Sequence, residues 1–161
     1  PEPLMNSSST RIMSLRDGSK KMSKSDSSDM SRINVQDDND LIALKIRKAR
    51  TDQEPIPEEV SFLEKRPEAY NLVNIYASLV NCSPEDVLRD FSGKPFSYFK
   101  PRLVELLVSE LEPISKKIKE LLEQPEEIDK ILNDGATSAR KISDPIIRST
   151  YEILGLTKNL E

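Results

Sequence analysis

The stretch SYFKPRLVELLVSELEPISKKIKELLE, from Ser97 to Glu123, decides the fold class. Leu103, Leu106, Leu107, Leu111, Ile114, Ile118, Leu121 and Leu122 recur three or four residues apart, so they line one face of an α-helix. Pro101 falls in the first turns, where a missing N–H is tolerated. Pro113 falls in the middle, removes one backbone hydrogen bond and predicts a kink.

The helical pattern extends to both sides. Pro125 opens a further helix that reaches Leu154, with Gly135 and Pro145 as its weak points and Gly155 as its C-cap. Toward the N-terminus, Ser83-Pro84-Glu85-Asp86 is a helix start (a cap, Pro at the first position, then acids), and that helix ends before Gly93. A helix over 67–80 starts on Pro67 and buries Leu72, Val73, Tyr76, Leu79 and Val80. Pro55 and Pro57 make Thr51 to Glu59 a linker. Asp37 and Asp38 cap a helix through Arg50, with Ile42, Ile46 and Ala49 on one face. Its acids sit at the start and Lys45, Arg47, Lys48 and Arg50 near the end, as the helix dipole favours. The expected fold class is mainly α, with five to seven helices after about residue 37 and no internal repeat.

Composition narrows the function. Apolar residues make up 36% and charged residues 32% of the 161, enough for a modest core in a polar chain. Aromatics are 5% and Trp is absent, which argues against a broad base-stacking platform. The net charge is −4, so contact with phosphate must come from a local cluster. Cys82 is the lone cysteine, which excludes an internal disulfide and suits a reducing compartment. Histidine is absent, which removes the usual general base, the commonest metal ligand and any His-based triad. No metal site is expected. No apolar run approaches membrane-spanning length. A chain that starts at Pro1 reads as a piece of a longer polypeptide.

The N-terminal 36 residues differ from the rest. Residues 1–10 are polar, Ser-rich and read as loose; Arg11 to Leu15 alternates like a short strand; Asp17-Gly18 signals a turn. Lys20 to Ser28 holds three Lys, four Ser, one Met and one Asp, and reads as a flexible exposed loop that packs no core. Arg11, Arg16, Lys20, Lys21 and Lys24 face a single acid, Asp17. Lys21 and Lys24 present two ammonium groups with small hydroxyls and backbone N–H groups between them, a set that suits a polyphosphate. The spacing is not that of a P-loop, and composition alone favours a solvated linker or a localisation patch.

The order of residues adds more. Lys21-Met22-Ser23-Lys24-Ser25 resembles KMSKS, the second signature of class I aminoacyl-tRNA synthetases. The flanks, Arg11-Ile12-Met13-Ser14-Leu15-Arg16-Asp17-Gly18-Ser19-Lys20 before and Asp26 after, resemble the tryptophanyl-tRNA synthetase family of bacteria and organelles. Arg32-Ile33-Asn34, Asp37-Asp38, Lys48-Ala49-Arg50-Thr51-Asp52, Asn71 to Tyr76, Glu112-Pro113-Ile114, Gly135-Ala136 and Ala139-Arg140 follow in that family's order, from about Ser9 to Leu156.

The resemblance implies that residues 1–36 are the edge of an α/β nucleotide-binding catalytic domain and 37–161 a helical bundle that approaches the anticodon arm of tRNA(Trp). It implies activation of tryptophan by ATP with Mg2+ and transfer to tRNA, with no tightly bound cofactor. Lys21 and Lys24 would be catalytic, contacting the β- and γ-phosphates; Ser23 and Ser25 would add hydrogen bonds and Met22 would lie near the adenosine. Lys116, Lys117, Lys119, Arg140, Lys141 and Arg148 are the expected tRNA phosphate contacts, although acids interleave with them. Tyr98, Phe99 and Tyr151 fit either a splayed base or a core. The family's HIGH signature needs histidine, so it and the tryptophan pocket are expected upstream of Pro1, and this chain alone is expected to be inactive. A homodimeric whole enzyme, no membrane partner, and a bacterial cytoplasm or organellar matrix complete the expectation. The other reading of the same residues is a non-catalytic helical adaptor that binds a protein through amphipathic faces.

Overall fold

A computed structural model of the chain describes residues 2 and 11–156. The loose opening expected over residues 1–10 lies, apart from Glu2, outside them. The described residues form a 3-10 turn at Asp29–Ser31 and six helices: α1 Asn39–Lys48, α2 Val60–Leu63, α3 Pro67–Leu79, α4 Pro84–Phe91, α5 Phe96–Leu122 and α6 Pro125–Leu154. The class is mainly α, as the periodicity requires. The chain divides into two compact units, residues 1–116 and 117–161.

The first unit holds the core. Ile42 and Ile46 of α1, Leu72, Val73 and Ala77 of α3, Val87, Leu88 and Phe91 of α4, and Phe96, Phe99, Leu103 and Leu107 of α5 are all buried together. Leu15 and Ile56, from outside the helices, join them. Phe91 and Phe99 meet edge to face at 5.0 Å, and Tyr76 lies 5.3 Å from Phe91, the arrangement aromatic quadrupoles favour. Full burial of a side chain like Phe99 stabilises by about 1.5–3 kcal/mol.

The helix ends follow from the caps. Asp38 accepts the Leu41 N–H at 2.8 Å and starts α1. Ser83 and Asp86 form a reciprocal capping box at α4. Gly155 closes α6 with φ 64°, a left-handed conformation that glycine takes without strain.

Three expectations change. First, Arg11–Leu15 is not a strand but one side of a single antiparallel bridge between Met13 and Lys21. It stops there because the Leu15 N–H donates to Ser31 and its carbonyl accepts from Arg50, leaving nothing to pair along a hairpin. Second, Thr51–Glu59 is not a mere linker. Ile56 is buried and exchanges backbone hydrogen bonds with Lys94 (3.0 Å) and Gly93 (2.8 Å), while Arg66 grips Asp52 and the carbonyls of Glu54 and Pro55. Third, Val80 is exposed, because α3 ends at Leu79; Ala69, Asn71 and Ala77 take the inward positions instead. The proline-containing helices run as expected: α6 reaches Leu154 through Gly135 and Pro145, and α5 runs through both Pro101 and Pro113.

In the second unit, α6 has no buried residue, and Ile131, Leu132, Ile142, Ile146 and Ile153 are exposed. Among the described residues no helix is long and apolar enough to cross a membrane.

Candidate functional site

The site grows from the Met13–Lys21 bridge. Ser14 N–H donates to the Lys20 carbonyl (2.8 Å) and Met22 N–H to the Ile12 carbonyl (3.0 Å), so residues 14–20 turn back on themselves. The buried Asn71 side chain of α3 satisfies both backbone groups of Met13, accepting its N–H at 2.9 Å and donating to its carbonyl at 2.8 Å. At the turn, a Cβ on Gly18 would stand 2.6 Å from the backbone of Pro67 and Glu68. Glycine lets the turn rest directly on the start of α3.

Arg16 and Lys100 both serve the C-terminal carbonyls of α1. Arg16 donates to Lys48 at 2.9 Å and Lys100 to Ala49 at 2.8 Å, satisfying acceptors the helix cannot. Burial pushes the Lys100 ammonium pKa down.

Of the basic cluster, Lys20 is engaged by Asp17 at 3.0 Å. The Ser19 hydroxyl, then Lys20, hold the Asp17 carboxyl down at about 2, and Asp17 in turn raises Lys20. Arg11, Lys21 and Lys24 have no side-chain partner among the described residues. Lys21 and Lys24 are exposed. Between them, Met22 is half-buried and packs against the core, which corrects the expectation that the loop packs nothing. Ser23 and Ser25 share a hydroxyl hydrogen bond at 2.9 Å. Met22, Ser23 and Ser25 thus give the loop local contacts, and two cations are left over among the described residues.

Its C-terminal arm enters the 3-10 turn. Arg32 donates to the carbonyl of Asp26 at 3.1 Å and pairs with Asp29 at 2.9 Å. Asp29 also reaches Lys45, at 2.7 Å. Lys45 lies on the inner face of α1, is fully buried, and pairs with buried Asp37 at 2.6 Å. Asn34 donates to both carboxylates. The Lys45 hydrogen bond, followed by that of Asn34, lowers the Asp29 pKa.

The sequence marks Lys45 only as one more cation near a helix end, Gly18 only as a turn residue and Asn71 only as a family landmark, and it does not single out Asp29. Lys45 carries a signal: it lies between Ile42 and Ile46 on the apolar face, where a charge must bring its own partners.

The expected tRNA contacts fall into two groups. Lys116, Lys117 and Lys119 are exposed on the last turns of α5, and Lys117 pairs with Glu120 at 3.3 Å. Arg140, Lys141 and Arg148 share an open depression of about 460 Å3 on α6 with Asp144. Phe99 is core, which removes it as a stacking residue; Tyr98 and Tyr151 are partly exposed. A cleft of about 840 Å3 between α1, residues 51–53 and the start of α5 holds neither loop lysine.

A helical core that carries an anchored KMSKS loop defines a class I synthetase piece, and the comparisons agree. Residues 1–111 match the family described as tRNA synthetases class I (W and Y), and the chain belongs to that family. The relatives are of the tryptophan kind. The chain is 49% identical over 98% of its length to the tryptophan–tRNA ligase of Agrobacterium fabrum and 50% identical over 96% to that of Mesorhizobium japonicum, covering 44% of each. It superposes with TM-score 0.73 on the tryptophanyl-tRNA synthetase of Mycoplasma pneumoniae, at 26% identity over 96% of this chain and 48% of that one. The Campylobacter jejuni enzyme, solved with ADP and tryptophan, gives TM-score 0.71 at 27% identity over 97% of this chain and 47% of that one. The chain therefore spans less than half the length of the relatives it matches.

Proposed function

We propose that this chain is the part of a tryptophan–tRNA ligase that closes over ATP and approaches the tRNA. The observation that carries the reading is the pair of exposed ammonium groups, Lys21 and Lys24, without a side-chain partner among the described residues, on a KMSKS loop fastened on one side to α3 and on the other to α1. In the whole enzyme a carboxylate oxygen of tryptophan attacks the α-phosphorus of MgATP. The bond to the β-phosphate oxygen breaks and pyrophosphate leaves with the electron pair. Lys21 and Lys24 are the catalytic residues of this loop: they meet the negative charge that builds on the leaving group, where a preorganised donor has most effect. Ser23, Ser25 and neighbouring N–H groups add hydrogen bonds, and Met22 lies toward the adenosine. A terminal ribose hydroxyl of tRNA(Trp) then attacks the tryptophanyl carbonyl and AMP departs.

Residues 1–36 are the edge of the nucleotide-binding domain and 37–161 the tRNA-binding part. This division is functional, because Leu15 shares its core with α1 and α3. Lys116, Lys117, Lys119, Arg140, Lys141 and Arg148 are the phosphate contacts, and their affinity falls with salt as counterion release requires. Mg2+ arrives with ATP as part of the substrate. Tryptophan binding and dimerisation would fall to parts of the whole enzyme outside these 161 residues, and that enzyme would act in the bacterial cytoplasm or an organellar matrix. The adaptor reading rests on amphipathic faces alone and explains neither the KMSKS string nor its two footings.

Tryptophan-dependent exchange of labelled pyrophosphate into ATP tests the proposal. The whole protein is expected to catalyse it and the 161-residue chain alone is not. Exchange by the isolated chain at the whole protein's rate would place the active site elsewhere.

A further inference from the structure

We propose that Lys45 is a positioning residue for the lysine loop, acting through Asp29 to fix where the loop's C-terminal arm meets the helical core. The proposal rests on the reading of the loop given above.

Lys45 sits on the apolar face of α1 between Ile42 and Ile46 and is fully buried. A buried ammonium needs a carboxylate, and Asp37, itself 7% exposed and 2.6 Å away, already supplies one from the chain just before the helix. A second carboxylate is not needed for neutrality. Asp29 nonetheless reaches in to 2.7 Å from a position five residues beyond Lys24, with its side chain still 47% exposed. Between Lys24 and Asp29 the hydrogen bonds stay local: Asp26 N–H to Ser23, Ser28 N–H to Asp26, and Arg32 to the carbonyls of Asp26 and Ser28. Asp29 is therefore the first residue after Lys24 whose side chain ties the arm to a helix. Its N-terminal counterpart is the Asn71 clasp on Met13. The arm has two stations, and the one nearer Lys24 is an ion pair rooted in the core. The pairing also neutralises a carboxylate close in sequence to Lys24 that would otherwise repel a polyphosphate.

Asp29→Asn in the whole ligase tests this, because it weakens the tie while leaving Lys45 with Asp37. Single-turnover adenylate formation at saturating ATP and tryptophan is expected to slow roughly tenfold, with tryptophan affinity and melting temperature little changed, and Asp29→Glu is expected to recover most of the rate. The harm done by Lys24→Ala should shrink by about the same factor in the Asp29→Asn background, since residues acting through one another are non-additive. Lys45→Met should reproduce the result where it folds, and Asp29→Asn decides the matter where it does not. An unchanged rate, additive effects with Lys24→Ala, or a rate that falls only in step with melting temperature overturns the proposal. A Lys24→Ala enzyme that forms adenylate normally would instead overturn the reading of the loop itself.

Discussion

At the residue scale, the loop depends on positions that carry no chemistry. Gly18 is one. A methyl group there would press on the Pro67–Glu68 backbone at 2.6 Å, and helix backbone does not yield cheaply. Gly18→Ala is expected to destabilise the protein by about 1–3 kcal/mol, as overpacking does; a denaturation midpoint equal to the parent's would mean the turn does not rest on α3. Lys45→Ala is expected to cost about 3–5 kcal/mol, because it strands the buried Asp37 carboxylate. Chemical denaturation measures that loss, and a change under 1 kcal/mol, about the scale of an exposed pair, would contradict the buried cluster. The candidate lysines were legible in sequence, since Lys21 and Lys24 lie inside a five-residue string. The footing was not. Asn71 and Gly18 act through contacts with chain 58 and about 50 residues away, and no local pattern encodes such a contact.

At the element scale, local signals did well where the chain alone supplies the hydrogen bonds. Ser83-Pro84-Glu85-Asp86 was readable because a capping box closes within four residues. Ser83→Ala is expected to lose about 1 kcal/mol, seen as a lower melting temperature; full retention would mean that α4 is held by packing alone. The 51–59 stretch was misread for the opposite reason. Its two prolines say only that no helix forms there, while its order comes from Arg66 and from Lys94. The strand at Arg11–Leu15 failed likewise, since its alternation serves Leu15 in the core rather than a sheet. Apolar spacing predicted α5 and α6 well but not their burial: Phe99, Leu103 and Leu107 go inside, while Ile114, Leu122 and the α6 isoleucines remain exposed.

At the scale of the whole molecule, charge links stability to pH. The carboxyls of Asp17, Asp29, Asp52 and Asp86 are all held below their ordinary value of 3.8, by Ser19, Lys45, Arg66 and Ser83 respectively. Their folded forms bind protons less readily than the unfolded chain, so their contribution is present above pH 3.8 and is lost as pH falls through the folded values. The melting temperature is expected to hold level from pH 7 to about 5 and to fall below about 4; a decline that began near pH 6 would point to other groups. The same uneven charge governs function. On the proposed reading, a chain of net charge −4 would meet polyphosphate through the few cations left unpaired among the described residues, and Lys20 is not among them because Asp17 holds it. Pre-steady-state adenylate formation by the whole enzyme at saturating tryptophan, comparing Lys24→Ala with Lys20→Ala, puts that distinction to the test. Lys24→Ala is expected to slow the step by roughly 10²–10³, as loss of a donor to developing charge does, with Lys24→Arg only a partial rescue and Lys20→Ala close to the parent. Equal losses at Lys20 and Lys24 would show that the loop acts by net charge alone and that Lys24 has no particular place in the reaction.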